Sequence, residues 1–182
     1  MAEKVLNLAD HRHNLLYNAI HEAIWGFGIA FHTTYAVIPL FLKMLDAPPI
    51  IIGSVAGVFT ACAAIPQIGI AFFGQRIKNL KKGLIISHSV MIPPMLFIGF
   101  VFAVFAPIGT KAWVIYFVCF MLFSIGVGAV FPIWADFLEL VHLPERRGEF
   151  FGISFAVLNG AGFIGGFAVK KLLASVPFPS NF

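Results

Sequence analysis

Residues 18–32, NAIHEAIWGFGIAFH, place ionisable side chains inside an otherwise apolar run. Glutamate and histidine can bind and release protons, and both are costly to bury in lipid, so such groups indicate a functional site by default. Steps of three and four residues put the polar and aromatic groups on one helical face. We therefore predict that this face lines a solute path. The candidate lining residues are Asn18, His21, Glu22, Trp25, His32 and Tyr35.

Two of these residues, Glu22 and His32, are the candidates for carrying a proton along the path. A structural alternative is that polar side chains of this face hydrogen-bond to neighbouring helices, which applies most directly to Asn18. The rings of Trp25 and Tyr35 would serve as walls for an organic solute or as helix packing. The spacing leaves both interpretations open.

The composition indicates a membrane protein. Of the 182 residues 60% are hydrophobic and only 11% are charged, whereas soluble domains carry about 25% charged residues. The long runs are apolar on all sides, which favours helices over barrel strands. We predict an all-α integral membrane protein, a transmembrane helix bundle, with a cytoplasmic segment at residues 1–14, a transmembrane domain at 15–174 and the start of a sixth span at 175–182. The predicted spans are about 15–42, 50–73, 84–106, 112–138 and 150–173.

Basic residues in the short loops predict the orientation, because cytoplasmic loops carry an excess of lysine and arginine. With the N-terminus in the cytoplasm, eight basic residues lie inside and four outside, which favours this topology in a bacterial inner membrane. These basic residues are interpreted as contacts with the lipid bilayer, and no nucleic-acid partner is expected. The inside set is Lys4, Arg12, Arg76, Lys78, Lys81, Lys82, Arg146 and Arg147; the outside set is Lys43, Lys111, Lys170 and Lys171.

Motifs for other chemistry are missing from the sequence. There is no G-x-x-x-x-G-K-[ST] nucleotide motif, and the two cysteines show no metal-ligand spacing. The nearest acid and base candidates, His21 and Glu22, are adjacent, so on a helix they point about 100° apart and form no ready dyad. We therefore expect no enzyme activity, no metal and no cofactor.

Small residues in the second and fifth spans recur at intervals near four, which lets helices approach closely. We predict helix packing there, and its functional version is a surface along which two bundles rock. Prolines are expected to interrupt spans two, three and four, at Pro66, Pro93–Pro94 and Pro132. The candidate packing glycines are Gly53, Gly57, Gly160, Gly162, Gly165 and Gly166.

Two segments carry a family resemblance. The loop GQRIKNLKKG (residues 74–83) and the segment GVGAVFPIWADFLELVHLPERRGEFFG (residues 126–152) resemble the N-terminal half of a major facilitator superfamily transporter. The loop departs from the family pattern, because Lys78 stands at an acidic position and Lys81 at a glycine position. The resemblance implies an ion pair between Asp136 and the arginines at 146–147. The implied cytoplasmic gate residues are Gly74, Arg76, Lys78, Lys81, Lys82, Asp136, Arg146 and Arg147.

The resemblance implies a secondary transporter that moves a small organic solute by alternating access. Leu122 stands where proton-coupled members often carry arginine, and Gly162 where antiporters often carry proline, which shifts any proton role to the first span. The family usually has twelve spans, so the chain is expected to be a fragment or a half-transporter with a second half or partner membrane chain. The alternative is a non-transporting subunit of a larger membrane complex with a transporter-like fold.

Overall fold

A computed structural model describes residues 6–73, 77 and 79–182. In this part of the chain the backbone forms helices and no strand. Within the described residues, four helical segments are long and apolar enough to cross a membrane: Pro49–Ile70, Leu80–Phe105, Gly109–Val141 and Pro144–Ser175. The chain is therefore an all-α, multi-pass membrane protein. The helices are α1 (Leu8–Ala30), α2 (Val37–Met44), α3 (Pro49–Phe73), α4 (Leu80–Phe105), α5 (Gly109–Val141) and α6 (Arg147–Ser175), with a 3₁₀ turn at Pro144–Arg146.

The region predicted as the first span, residues 15–42, contains two helices, α1 and α2, rather than one. Proline has no N–H and its ring clashes with the carbonyl four residues earlier, so Pro39 opposes a continuous helix through Tyr35. Instead, the Thr33 hydroxyl accepts a hydrogen bond of 2.9 Å from the N–H of Val37 and satisfies the first donor of α2. Among the described residues, the four apolar segments lie in the part of the chain from α3 to α6.

The prolines expected to interrupt the later spans lie within continuous helices. Pro66 is inside α3, Pro93 and Pro94 are inside α4, and Pro132 is inside α5. Membrane helices tolerate proline where neighbouring groups satisfy the freed carbonyls. The expected interruptions are therefore absent from these helices.

The described chain divides into two compact units. The first unit contains the described residues up to His32 together with Phe137–Leu172, and the second contains Thr33–Asp136 and Leu173–Phe182. In the first unit α1 packs on α6. A Cβ atom at Gly26 would overlap the backbone of Leu158, and one at Gly165 would lie 2.7 Å from the Ala30 Cβ. Residue numbers rise together on the two helices, so α1 and α6 run parallel.

The second unit has an aromatic core around Phe41 of α2. The Phe41 ring lies 5.0 Å from that of Phe102 and 4.8 Å from that of Tyr116, both edge-on, and stacks at 4.7 Å on Phe182. In the same unit α5 crosses α3 closely, because a Cβ atom at Gly128 would overlap the Ala63 carbonyl. Aromatic packing and glycine-mediated helix contact together hold this unit.

Candidate functional site

Glu22 is a buried acid in the first unit. It lies on the face of α1 that also buries Gly26 and Ala30, and it is 6% exposed. The expectation that adjacent His21 and Glu22 point too far apart to pair is wrong, because the long side chains bridge the angle and His21 Nδ1 lies 3.1 Å from Glu22 Oε1. When Nδ1 carries the proton it donates to the carboxylate. The side chain of His21 is 41% exposed, so the pair joins a buried carboxylate to a more accessible imidazole.

Ser154 of α6 adds a second buried polar group to the same interface. Gly26 packs against Leu158 and the helices run parallel, so the residues one turn earlier, Glu22 and Ser154, lie at the same level. Ser154 is 3% exposed, and its hydroxyl oxygen has no hydrogen-bond partner in the described part of the chain. Buried polar groups are normally paired. An unpaired hydroxyl at the level of a buried carboxylate is therefore a candidate binding feature.

The structure places the remaining predicted lining residues in other surroundings. Asn18 contacts His142 instead, with Nδ2 2.8 Å from the His142 Nε2 atom. Trp25 is half-buried on α1, and His32 lies in the turn that follows the helix. Tyr35 belongs to the second unit and is 83% exposed. The predicted helical face does not extend to His32 and Tyr35, because α1 ends at Ala30.

Two histidines outside the predicted set meet in the first unit. His11, in the first turns of α1, is 0% exposed, and His142, in the α5–α6 turn, is 1% exposed. Their Nδ1 atoms are 3.2 Å apart. Beside them Asn14 Nδ2 donates to the Val141 carbonyl at 2.8 Å. Burial, and next the positive charge that His11 can carry, lower the pKa of His142 to about 4.

Sequence reasoning missed this pair for a physical reason. The two histidines are separated by 131 residues, and neither belongs to a motif. A histidine in a helical first turn and another in a short polar turn are ordinary surface residues by composition. Their contact arises only because α1 and α6 start at the same end of the first unit.

The arginines of the predicted gate take other acidic partners than Asp136. Arg146 donates to Glu149 at 2.8 Å, and Arg147 donates to Glu139 at 3.1 Å. Asp136 belongs to the second unit, whereas both arginines pair with acids of the first unit. All four paired side chains are more than a third exposed, and such pairs contribute about 0–1 kcal/mol.

The other predicted gate residues lie at the start of α4. Lys81 and Lys82 are exposed, and the Asn79 side chain caps the helix by accepting from the Lys82 N–H at 2.9 Å. Both lysines therefore lie in the first turn of α4, rather than in the loop predicted at residues 74–83. Gly74, Arg76 and Lys78 lie outside the described residues.

Of the predicted packing glycines, two lie at a close helix contact. Gly162 faces the Gly26 carbonyl, with a potential Cβ contact of 3.3 Å, and Gly165 faces Ala30. The other four have no atom within 4 Å of an added Cβ, so they form no close contact in the described part of the chain. These open glycines are Gly53, Gly57, Gly160 and Gly166.

The second unit also carries an open groove of about 470 Å³ between α3 and α5. Apart from the amide of Gln67 its lining is apolar, with Phe131, Pro132, Trp134 and Ala135. None of these lining residues is titratable. We therefore place the candidate site at Glu22, where an ionisable group is buried.

The fold and site define a multi-pass helical membrane protein with a buried carboxylate–imidazole pair. Comparisons of the chain with protein-family models, with curated proteins and with solved structures find no match. Function is therefore inferred from the geometry of the helices and of the buried polar groups.

Proposed function

We propose that this chain forms part of a secondary transporter, similar to the major facilitator superfamily, that moves a small organic solute by alternating access. The observation that carries the proposal is the burial of Glu22, which pairs with His21 and lies one turn before Gly26, where α1 packs on α6. Ionisable groups inside membrane bundles are rare and mark solute or ion pathways. A carboxylate in this position suits a cationic or polar organic solute.

The helix contact beside Glu22 supports movement. At Gly26 and Gly162 the two helices approach each other through backbone atoms. Small residues permit close approach in membranes, and a smooth contact offers little resistance to sliding or rocking. Ser154 supplies an unused hydroxyl at the level of the carboxylate. The interface thus combines a polar binding feature with a surface suited to rearrangement.

We also propose that the chain lies in a bacterial inner membrane with its N-terminus in the cytoplasm; the distribution of lysine and arginine supports this orientation. A second transporter half or partner membrane chain would complete the solute path, as alternating access needs two bundles around one site.

Replacing Glu22 with glutamine is expected to reduce solute uptake about tenfold or more. A lost hydrogen bond to a charged group costs roughly 1.5–3 kcal/mol, which is about 10–100-fold in affinity. The measurement is uptake of radiolabelled organic cations and polar neutral solutes by native membrane vesicles that contain the variant. Glu145→Gln, which changes an exposed acid, is the matched control and should transport normally. Equal uptake by the Glu22→Gln and wild-type vesicles would contradict the assigned role.

A second candidate function is a non-transporting subunit of a larger membrane complex. The observation in its favour is that Gly53, Gly57, Gly160 and Gly166 are open in the described chain, and such small-residue faces can receive a helix of another chain. The vesicles distinguish the two functions. Lost uptake in a Glu22→Gln variant that assembles normally favours transport. The subunit function is favoured if Gly57→Leu reduces assembly while the Gly57→Leu chains that still assemble show unchanged uptake.

A further inference from the structure

The contacts of His11 and His142 fix one arrangement of protons on the two rings. The Leu143 N–H, at 3.4 Å, points to His11 Nδ1, so that nitrogen is an acceptor and the His11 proton sits on Nε2. His142 Nδ1 must then carry the proton that lies between the rings. Its Nε2 is left as an acceptor, which matches the Asn18 amide at 2.8 Å. All three contacts are satisfied when both rings are neutral.

An added proton disturbs this arrangement at either ring. On His11 Nδ1 it would remove the acceptor for two donors and oppose the His142 N–H at 3.2 Å. On His142 Nε2 it would oppose the Asn18 amide donor, and rotation of that amide would leave the new charge buried. The Phe150 ring covers His142, with ring centres 4.2 Å apart. Burying an unpaired charge in such a place is costly.

The charged groups around the pair do not offset an added charge. Asp10 and Asn7 form a capping box at the start of α1. Glu149 and Glu139, on either side of the α5–α6 turn, are paired with Arg146 and Arg147, and Glu145 in the turn is exposed. Within the described residues, no carboxylate hydrogen-bonds to either imidazole, and His11 Nε2 has no partner. The other ionisable side chains of the first turns of α1 are Arg12 and His13, both exposed.

We propose that His11 and His142 form a proton-binding site. When both rings are neutral, their contact, the histidine clasp, holds the start of α1 against the α5–α6 turn, and it releases α1 when a proton binds. The pair joins elements separated by 131 residues. With the bonds from Asn18 and Asn14 it supplies the polar contacts of α1 to this turn. The clasp therefore links proton uptake to the position of α1, and it does not depend on the proposed transport function.

The direction of the pH response follows from His142. Its pKa in the folded chain is about 4, lowered from 6.5 by burial and then by His11. A group whose folded pKa is lowered contributes its full stabilisation above the unfolded pKa, and this is lost as pH falls toward the folded pKa. The clasp should therefore be closed above pH 6.5 and should open progressively between pH 6.5 and 4.

The test measures the distance between the two elements at two pH values. The native cysteines are removed by Cys62→Ala and Cys119→Ala. Spin labels are then attached to new cysteines at two exposed positions, Ala9→Cys and Glu145→Cys, and the chain is placed in lipid nanodiscs. Double electron–electron resonance should give a narrow distance distribution at about pH 7.5 and a broader, longer one at about pH 4.5. Ring ¹⁵N shifts at neutral pH should place the protons on His142 Nδ1 and His11 Nε2.

Two variants make the outcome decisive. His13→Gln removes an exposed histidine two residues from His11 and should keep the response to pH. The double variant His11→Gln, His142→Gln should give a distribution that no longer depends on pH. An unchanged wild-type distribution between the two pH values would overturn the proposal, as would a pH response retained by the double variant.

Discussion

Replacing Gly26 with leucine is expected to separate α1 from α6. A Cβ atom at this position would overlap the carbonyl of Leu158, and the obstacle is backbone that belongs to a helix. Overpacking costs typically about 1–3 kcal/mol, and more where neither side can yield. We therefore expect a loss of at least about 3 kcal/mol in the first unit. Thermal unfolding in detergent micelles, followed by circular dichroism, measures the effect.

The control for this variant lies two residues further along the same helix. Gly28 has no atom within 4 Å of an added Cβ, so Gly28→Leu should change stability by no more than about 0.5 kcal/mol. It adds the same apolar side chain to α1 and removes the same backbone freedom. Equal unfolding temperatures for Gly26→Leu and Gly28→Leu would contradict the parallel packing of α1 on α6.

Replacing Gly128 with leucine is expected to open the second unit. A Cβ atom here would overlap the Ala63 carbonyl of α3, so α5 and α3 must move apart. Cys62, adjacent to Ala63, is buried and reports this movement. A destabilisation of about 3 kcal/mol would raise its rate of alkylation about 100-fold, because that rate follows the population of the open form. The measurement uses maleimide labelling in a Cys119→Ala chain.

Gly99→Leu provides the matched comparison for the second unit. Gly99 lies in α4, and an added Cβ there meets no atom within 4 Å. Alkylation of Cys62 should then proceed at the wild-type rate. If Gly128→Leu leaves Cys62 as unreactive as Gly99→Leu does, the close crossing of α3 and α5 is wrong.

Much of the helical fold was predictable from the sequence. Long apolar runs with few charges require backbone hydrogen bonds within each segment, so their helical form follows from the solvent they need. The division of the first predicted span was less evident. It depends on Pro39 and on the hydroxyl of Thr33 acting as a cap, and these local effects prevail over the apolar character of the surrounding residues.

The helix contacts show where sequence spacing reaches its limit. The predicted small residues in α6 include Gly162 and Gly165, which pack on α1, but the same pattern in α3 marks Gly53 and Gly57, which are open. Glycine spacing indicates that a face can pack closely; it does not say which face has a neighbour. That choice depends on the arrangement of several helices together.

The site was predictable in part. In the sequence Glu22 is an ionisable residue among apolar neighbours, which indicates a site, and in the structure its side chain is buried. The bond between Asn18 and His142, and the contact of His142 with His11, join distant residues. No local pattern encodes such pairs, because they depend on where the parallel helices α1 and α6 begin. Tyr35 shares a face with Glu22 only on one unbroken helix, and α1 ends at Ala30.

The most direct test of the central claim is whether water reaches the buried polar groups between α1 and α6. Ser154→Cys, in a chain without the native cysteines, places a thiol at the level of Glu22 while keeping the carboxylate. In native membranes a charged, membrane-impermeant thiol reagent should modify it, because alternating access exposes this level to water. Val55→Cys, in the core of the second unit at 1% exposure, should stay unmodified. A Ser154→Cys thiol as unreactive as that control would contradict the transport proposal.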